Sequence, residues 1–387
     1  MGAHEPGDVG PFHVCRWRGP DDVVHGCMVE PVPMSPRIGV TGVGWSGFTP
    51  TTAGRSYKEL MFEAASAAYL DAGVDPRTNV DSFVCASEDL EEGTSIFDEY
   101  VPDQLGAVQR PVQTVASDGL FAVATAVMLI RSGAANVVAV EAHSKASDIL
   151  TPGRVDAFAL DPVLNRPLGV PALALAGLEM RRYLHASGRT VEQCADVATR
   201  NRDQARSNRR ASFADVDGDD PPLFDPLTTH QAARSADGCV VIVLASEDRT
   251  DGRPTVWLDG IGWNQDAPSV ESRDWSRAVA AERAAATAFA QADVQPSDID
   301  TAEVDDTFAY KQLQHLDALG LAELDPASIN RSGGALGEGY LHEANGLART
   351  LAAVEQLRAG DGRAAVVQSW RGVPSTSAAV AVLKRDR

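Results

Sequence analysis

The amino-acid sequence predicts an α/β fold, because apolar strand-like segments alternate with helical segments from residue 34 to residue 387. A second observation is an internal repeat. Residues 118–142 and residues 345–369 each contain a helix with glycine near its start, a glycine stop and an apolar strand. The repeat predicts two pseudo-equivalent halves, although helix–glycine–strand is also a common device of α/β proteins.

The individual elements follow from apolar runs and from helical periodicity. The strands are predicted at 37–43, 82–86, 136–142, 239–245, 255–259, 301–304, 364–369 and 378–383, and the helices at 57–72, 118–132, 170–186, 191–207, 274–292, 308–319 and 344–359. The helix at 118–132 is apolar nearly all round, which predicts burial, whereas the helix at 344–359 shows one apolar stripe. Residues 215–222 are rich in Asp, Pro and Gly and predict an exposed loop.

The folded part is expected to begin at Met34, where Met-Ser-Pro-Arg leads into a strand. Residues 1–33 are rich in glycine and proline and are interpreted as a disordered tail or an upstream start. The two halves are placed at 34–250, with an inserted loop region, and at 251–387.

Composition narrows the functional classes. The 387 residues carry a formal net charge of -20, with a pI of about 4.7, which argues against a general nucleic-acid binder. An anionic ligand is still possible, because a local basic patch can lie on an acidic body. No apolar run is long enough to span a bilayer. The five cysteines lack C-x-x-C spacing, so neither a zinc site nor a disulfide framework is expected, and a reducing cytoplasm fits (Cys15, Cys27, Cys85, Cys194 and Cys239).

Four segments together resemble the thiolase superfamily. They are Ser-Ala-Asp-Gly-Cys-Val-Val-Ile-Val-Leu-Ala-Ser at 235–246, Ala-Glu-Val-Asp-Asp-Thr-Phe at 302–308, Asn-Arg-Ser-Gly-Gly at 330–334 and Gly-Glu-Gly-Tyr-Leu-His-Glu-Ala-Asn-Gly at 337–346. The segments stand in the order typical of that superfamily. The resemblance implies a thiolase fold, with two pseudo-equivalent βαβαβαββ halves in a five-layered αβαβα arrangement.

The departures from the thiolase pattern concern its reactive groups. Ala116 stands where thiolases carry the nucleophilic cysteine, and Tyr340 replaces the histidine of their Gly-His-Pro motif. Asp305 replaces an asparagine or histidine, and residues 368–376 lack the late cysteine. An alanine methyl group cannot be acylated, so acyl transfer through a cysteine thioester is expected to be absent.

The altered motifs resemble the thiolase-like aldolases of bacterial steroid side-chain catabolism. The similarity lies in Gly-Glu-x-Tyr-x-His-x-x-Asn-Gly at 337–346 and in Gly-Val-Pro-Ser-Thr at 372–376. It implies retro-aldol cleavage of a β-hydroxyacyl-CoA, with coenzyme A as part of the substrate and no other cofactor. It also implies a small OB-fold partner of the acyl-CoA-binding type and a homodimer core within a heterotetramer. Those aldolases carry a second tyrosine at the position of Asp305.

Three side chains are the candidate catalytic groups. Tyr340 is assigned general acid/base chemistry, because it lies just before a helix whose N-terminus favours developing negative charge. Asp305 follows a strand and is a candidate base, or a group that orients water or Tyr340, while Asp306 is expected to cap the next helix. His342 is a candidate for polarising a carbonyl or holding the tyrosine. Each has a structural alternative: Tyr340 as a packed loop side chain, Asp305 as a helix cap, and His342 as a loop residue without a catalytic role.

Candidate binding residues come from two segments. Four glycines are expected to let the backbone approach the thioester closely (Gly333, Gly334, Gly337 and Gly339). The basic run at 200–210, with Arg206 and Arg209, resembles in position the region that meets CoA in thiolases, which implies contact with the CoA phosphates. A solvated helix face is the alternative. Tyr310 is expected to be core packing.

Two further interpretations remain. Residues 42–47 fit G-x-G-x-x-G, but Phe-Thr-Pro follows where a dinucleotide site needs a helix, so a dinucleotide enzyme is disfavoured. The chain could also be a non-catalytic thiolase-like subunit that binds acyl-CoA or scaffolds a partner. Asp305 in place of tyrosine favours that subunit, whereas the intact motif at 337–346 favours the enzyme.

Overall fold

The computed structural model describes residues 36–88, 97–250, 256–267, 269–372 and 377–386. The predicted tail at 1–33, Cys15, Cys27 and residues 373–376 of the Gly-Val-Pro-Ser-Thr motif lie outside the described residues. The proposed boundary between the halves at residue 250 adjoins residues 251–255, which also lie outside them, and it stays a prediction.

Nine of the described strands form one mixed sheet. Its order is β3-β2-β4-β7-β1-β8-β11-β10-β9, and β5 pairs with β6 in a separate hairpin. The strands are β1 (Ile38–Thr49), β2 (Ser82–Ala86), β3 (Val112–Val115), β4 (Val137–Lys145), β5 (Pro222–Phe224), β6 (Leu227–Thr228), β7 (Asp237–Ser246), β8 (Val256–Gln265), β9 (Thr301–Glu303), β10 (Ala364–Arg371) and β11 (Ser377–Arg385).

Helices connect these strands. They are α1 (Tyr57–Ala72), α2 (Pro76–Asn79), α3 (Pro102–Leu105), α4 (Gly119–Arg131), α5 (Pro152–Asp156), α6 (Ala172–Ser187), α7 (Val191–Ala205), α8 (Val279–Ala292), α9 (Ala309–Leu319), α10 (Gly334–Glu338) and α11 (Asn345–Ala359). Within the described ranges, no helix combines the length and hydropathy needed to cross a bilayer.

The predicted strands and helices are all present, with shifted ends. The first strand runs on to Thr49, and the predicted helix at 274–292 begins only at Val279. Sequence patterns missed β3 and the β5–β6 hairpin, which are too short to show a period of their own.

The strand order repeats from one half to the other. Strands β2-β4-β7-β1 form one set, and β9-β10-β11-β8 form the other in the same relative order, while β3 extends the first set at its edge. The sets meet at β1 and β8, where the described residues pair antiparallel at Gly39–Trp257 and Val40–Val256. The predicted α/β class and the predicted pseudo-equivalence are confirmed by this arrangement.

Small residues bring one helix close to the first strand of each set. A Cβ atom added at Gly44 in β1 would lie 2.2 Å from the Ala64 carbonyl oxygen of α1. A Cβ atom added at Gly262 in β8 would lie 2.2 Å from the Ala284 carbonyl oxygen of α8. The G-x-G-x-x-G segment therefore lies within a strand that runs beyond the predicted end at residue 43, and its first glycines pack against a helix.

Helices α4 and α11 lie in the shared core. Leu120 and Val123 of α4 join Leu347 and Leu351 of α11 in one buried apolar cluster. Helix α11 is buried far beyond the predicted stripe, and its Arg349 is fully buried. A buried arginine is tolerated only when it is paired, and Arg349 meets two glutamates there, as described below.

Candidate active site

A cavity of about 790 Å³ opens between the ends of β3 and β10 and the helices α4, α6 and α9. Its wall combines apolar side chains with a few polar groups, as ligand cavities commonly do. The residues that carry the following argument are Ala116, Ser117, Glu179, Ser235, Phe308, Tyr310, Tyr340, His342, Trp370 and Arg371. The cavity therefore brings together residues from both halves of the sheet.

The position of the thiolase nucleophile lies on this wall. Ala116 and Ser117 line the cavity directly after β3, and the next residue, Asp118, caps α4 by accepting from the Leu120 backbone N–H at 2.8 Å. Asp118 also accepts from the Gly346 backbone N–H at 2.8 Å and the Ser369 hydroxyl at 2.7 Å. Burial raises the pKa of Asp118 to about 6 despite these hydrogen bonds. The carboxylate therefore ties the first turn of α4 to that of α11.

Tyr340 lies on the opposite wall with a cation at its hydroxyl. Its backbone is fixed by a bridge to Ser235, and its hydroxyl accepts from Arg371 Nη1 at 3.4 Å. Arg371 also donates to Glu343 at 2.7 Å and to Glu88 at 3.1 Å. A guanidinium beside a phenol oxygen favours negative charge on that oxygen. Arg371 belongs to the segment at 368–376, and no pattern in that segment predicts its contact with Tyr340.

His342 lies beside Tyr340 on the cavity wall. The two ring centroids are 4.8 Å apart, and His342 Nε2 is 3.1 Å from the Ser235 hydroxyl. His342 has a φ of 47°, a left-handed conformation that is uncommon for a residue with a side chain. The structure thus places Tyr340, His342 and Ser235 together, two of which the sequence predicted.

Asp305 is placed behind the wall rather than on it. One carboxylate oxygen accepts from the Thr307 backbone N–H and from Trp370 Nε1 at 2.8 Å, and the other accepts from Asn345 Nδ2. Burial raises the pKa of the Asp305 carboxyl above its ordinary value. Asp305 is not among the described residues that line the cavity, so its role as a base stays a prediction. What it does touch is Trp370, which lines the cavity next to Arg371.

The expected cap at Asp306 is made to a different helix. Its carboxylate accepts from the backbone N–H groups of Ala335 at 2.6 Å and Leu336 at 3.3 Å, which belong to α10 and not to the helix that follows Asp306. Burial raises the pKa of Asp306 to about 7. The prediction that Asp306 caps the next helix is therefore wrong, because the residue that precedes α9 is Phe308 and α9 has no side-chain cap.

The four predicted thioester-contacting glycines pack against protein atoms. A Cβ atom at Gly333 or Gly337 would lie within 2.4 Å of the Ala205 Cβ atom of α7. One at Gly334 would meet the Asp306 carboxylate, and one at Gly339 would meet the Ala236 Cβ atom at 2.6 Å. None of the four is among the described lining residues. Their small size lets α10 approach α7 and the loop before Tyr340.

The predicted CoA-contacting arginines are exposed. Arg206 follows the end of α7 and forms ion pairs with Asp203 at 3.3 Å and Asp215 at 2.7 Å. The Arg209 guanidinium lies 5.1 Å from the Trp45 ring centroid. Neither arginine lines the cavity, and contact with CoA phosphates stays a prediction.

A buried charge network supports the segment that ends at Tyr340. Arg349 pairs with Glu303 at 3.2 Å and with Glu338, two residues before Tyr340. Arg210 also pairs with Glu338, at 3.0 Å. All four side chains are buried, so the pairs compensate charges that water cannot reach.

Comparisons with known proteins agree with the fold described above. The family described as "Thiolase C-terminal domain-like" matches residues 263–327. The chain is 26% identical to an acetyl-CoA acetyltransferase of Methanothermobacter thermautotrophicus, over 80% of this chain and 88% of that protein. It is also 26% identical to a steroid side-chain-cleaving aldolase of Thermomonospora curvata, over 87% of this chain and 96% of that one. A solved Ltp2-ChsH2(DUF35) aldolase superposes with a TM-score of 0.76 at 23% identity, over 91% and 99% of the two chains.

The chain has the thiolase fold, and Ala116, which the sequence predicts at the nucleophile position, lines the cavity. The predicted resemblance to the thiolase superfamily is confirmed, as is the predicted thiolase fold. The similar proteins include thiolase-like aldolases.

Proposed function

We propose that the protein is a CoA-dependent carbon–carbon lyase that cleaves a β-hydroxyacyl-CoA by a retro-aldol reaction, with steroid side chains as the substrate class. A ketone and a shorter acyl-CoA are the products. The proposal rests on one arrangement: Tyr340, with Arg371 at its hydroxyl, faces a cavity where Ala116 stands at the nucleophile position.

The reaction needs a base, an enolate-stabilising site and an acid. Tyr340 as phenolate takes the β-hydroxyl proton, and the Cα–Cβ bond breaks with its electron pair moving into the thioester carbonyl. Arg371 stabilises the phenolate before that transfer. The Ser235–His342 pair offers one donor for the enolate oxygen, and the proton held by Tyr340 returns to the enolate carbon.

Ala116 separates this proposal from acyl transfer. One relative is an acetyl-CoA acetyltransferase and another is an aldolase, at the same 26% identity. Acyl transfer of the thiolase type requires a nucleophile to carry the acyl group, and an alanine methyl group provides none. Retro-aldol cleavage requires no covalent intermediate, so it is compatible with alanine.

The proposed assembly follows the solved aldolase, whose name includes a DUF35 component. We propose a homodimer core that binds two small OB-fold, acyl-CoA-binding-type partners in the cytoplasm. Light scattering of the chain alone and with such a partner measures this directly: a dimer and a heterotetramer are expected, and a persistent monomer in both samples contradicts the assembly.

The test of the reaction compares wild type with Tyr340→Phe, using mass spectrometry to follow a steroid β-hydroxyacyl-CoA. Tyr340→Phe is expected to lose at least ~100-fold in cleavage rate, because proton transfer by a positioned side chain contributes about that much. Tyr183→Phe is the control, since it removes another largely buried hydroxyl, bonded to Asp317, outside the cavity.

A second candidate function is a non-catalytic acyl-CoA-binding subunit. The observation that favours it is Asp305, which stands in place of a second tyrosine and is already committed to Thr307, Asn345 and Trp370. Binding of the ester by wild type without cleavage, with the partner present, would select this function and reject the lyase.

A further inference from the structure

A second polar cluster lies on the wall of the same cavity, on helices α6 and α9. Glu179 of α6 accepts from the Tyr310 hydroxyl at 2.8 Å and from Lys311 Nζ at 2.6 Å. Lys311 also donates to the Gln314 side-chain oxygen at 2.7 Å. Glu179 is 4% exposed, and Tyr310 and Lys311 are fully buried. Tyr310 is packed in a buried apolar cluster, as the sequence predicted, and its hydroxyl also takes part in this polar cluster.

This cluster is separate from the groups assigned to catalysis. Glu179 and Tyr310 both line the cavity, and neither is hydrogen-bonded to Tyr340, His342 or Arg371 in the described part of the chain. Burying a lysine–glutamate pair removes both charges from water at a cost in solvation free energy. Apolar residues of similar volume would avoid this cost. A ligand group that uses the pair would account for its place on a cavity wall.

The hydrogen-bond inventory fixes what kind of group the cluster can accept. Tyr310 directs its only proton to Glu179, and burial together with the glutamate charge raises the pKa of Tyr310 well above its ordinary value, so it stays protonated. The Glu179 carboxylate has about four acceptor sites, of which Tyr310 and Lys311 occupy two. The Glu179 carboxylate can therefore accept a further hydrogen bond from a group in the cavity.

The wall around the cluster is apolar. Phe158, Leu173, Ala176 and Phe308 line the same cavity, and the Phe308 ring stacks on that of Tyr310 at 5.9 Å. Lys311 balances the charge of Glu179, which disfavours a cationic ligand group, and the carboxylate repels an anionic one. A neutral donor on an apolar body remains, and in an acyl or steroid skeleton that group is a hydroxyl.

We infer that Glu179, held by Lys311 and Tyr310, forms a subsite that selects ligands carrying a hydroxyl group on their apolar body. This hydroxyl is additional to the β-hydroxyl that gives up its proton when the Cα–Cβ bond breaks. The inference rests on the proposed function for its ligand class, an acyl-CoA, but not on any cleavage step.

Calorimetric titration of the purified full-length protein tests the subsite. The probes are dodecanoyl-CoA esters with a hydroxyl, an oxo group or only hydrogen at one carbon in the distal half of the chain. A hydrogen bond to a charged acceptor predicts that at least one hydroxy ester binds roughly 10-fold or more tightly than its unsubstituted counterpart. The matching oxo ester is expected to bind no better than the unsubstituted one.

The variant Glu179→Gln gives the matched comparison. Its amide oxygen can still accept from Lys311, which turns the amide N–H groups towards Tyr310 and the cavity. The preference is then expected to move from the hydroxy ester to the oxo ester, by roughly 10-fold in the ratio of the two affinities. Glu141→Gln is the control, because Glu141 is an equally buried carboxylate, paired with His143 at 2.9 Å away from the cavity.

The wild-type titration tests the hydroxyl-selective subsite even if Glu179→Gln does not fold. Equal binding of hydroxy, oxo and unsubstituted esters by wild type would overturn the subsite, whatever the lyase assay shows. If no CoA ester binds, the proposed ligand class fails. The same comparison is then made with cyclododecanol, cyclododecanone and cyclododecane by saturation-transfer NMR, where an alcohol preference supports the subsite and its absence overturns it.

Discussion

The change Arg371→Lys tests whether the cation at Tyr340 drives the proposed chemistry. In the structure one guanidinium serves Tyr340 at 3.4 Å, Glu343 at 2.7 Å and Glu88 at 3.1 Å. An ammonium group is a point charge on a flexible stem and cannot reproduce this fixed fork. Lysine keeps the net charge, so Glu343 is not left without a cation, and folding is expected to survive.

The size of the effect follows from the distance. A unit charge 3.4 Å from the phenolate oxygen contributes roughly 5 kcal/mol at an effective dielectric constant of about 20. The negative charges of Glu343 and Glu88 offset about half or more of that, which leaves roughly 1–3 kcal/mol. Withdrawal of the cation towards the glutamates is therefore expected to lower the cleavage rate by about 10- to 100-fold.

The assay is the pH dependence of cleavage, measured by product mass spectrometry. The rate constant kcat is expected to fall with little change in KM, and the acid limb of the profile is expected to move to higher pH, because the phenolate form has lost its cation. A merely structural loss would lower the rate without moving the limb. Arg358→Lys is the control, since Arg358 pairs with Asp71 at 2.7 Å outside the cavity. A folded Arg371→Lys enzyme with an unchanged rate and an unchanged acid limb would refute the argument.

Three further predictions concern the scaffold. Arg349→Met should lower the free energy of unfolding by about 3–5 kcal/mol in denaturant titration, because Glu303 and Glu338 lose a buried cation; an unchanged midpoint contradicts the network. Gly337→Ala should lower the free energy of unfolding by roughly 1–3 kcal/mol and slow cleavage, because the new methyl group would lie 2.4 Å from the Ala205 Cβ atom. Gly153→Ala is the control, since its methyl group meets no atom within 4 Å, and neither stability nor cleavage should change. The pKa of Asp118 is raised to about 6, so this carboxyl stabilises the fold below pH ~4 and loses that contribution as pH rises through about 6. Asp118→Asn should therefore flatten the plot of unfolding free energy against pH between these values, by up to ~1 kcal/mol per pH unit. An identical slope in both proteins argues against this contribution.

Local patterns predicted much of the architecture. The helix–glycine–strand repeat indicated two halves, and the strand order of the sheet shows them. The sequence contains a further repeat that was not recognised, Gly-Val-Gly at 42–44 and Gly-Ile-Gly at 260–262. The glycines of each copy pack closely against the helix that follows their strand. In isolation the first glycines resembled a nucleotide motif. Their packing role becomes visible only when both copies are compared.

The sequence predicted those residues of the candidate site that lie together in one local motif. Tyr340 and His342 are two residues apart, and the structure places both on the cavity wall. Arg371 and Glu179 were missed because their meaning depends on distant partners. Glu179 and Lys311 are 132 positions apart in the chain, and no local pattern shows that they touch. Buried ion pairs of this kind are properties of the tertiary structure.

The structure also changes how negative charge is expected to be stabilised in the proposed reaction. The sequence suggested that the N-terminus of α11 supplies this stabilisation next to Tyr340. In the structure, the backbone N–H of Gly346 in the first turn of α11 already donates to Asp118, which caps α4 as well. One first-turn N–H group of each helix is thus already bonded to the same buried carboxylate. Ser235, His342 and Arg371 are side chains that the cavity places beside Tyr340, and in the proposed reaction they can stabilise the enolate. The proposed catalysis then depends on the C-terminal motifs rather than on the helix that carries the nucleophile in thiolases, and it is therefore compatible with Ala116 at the predicted nucleophile position.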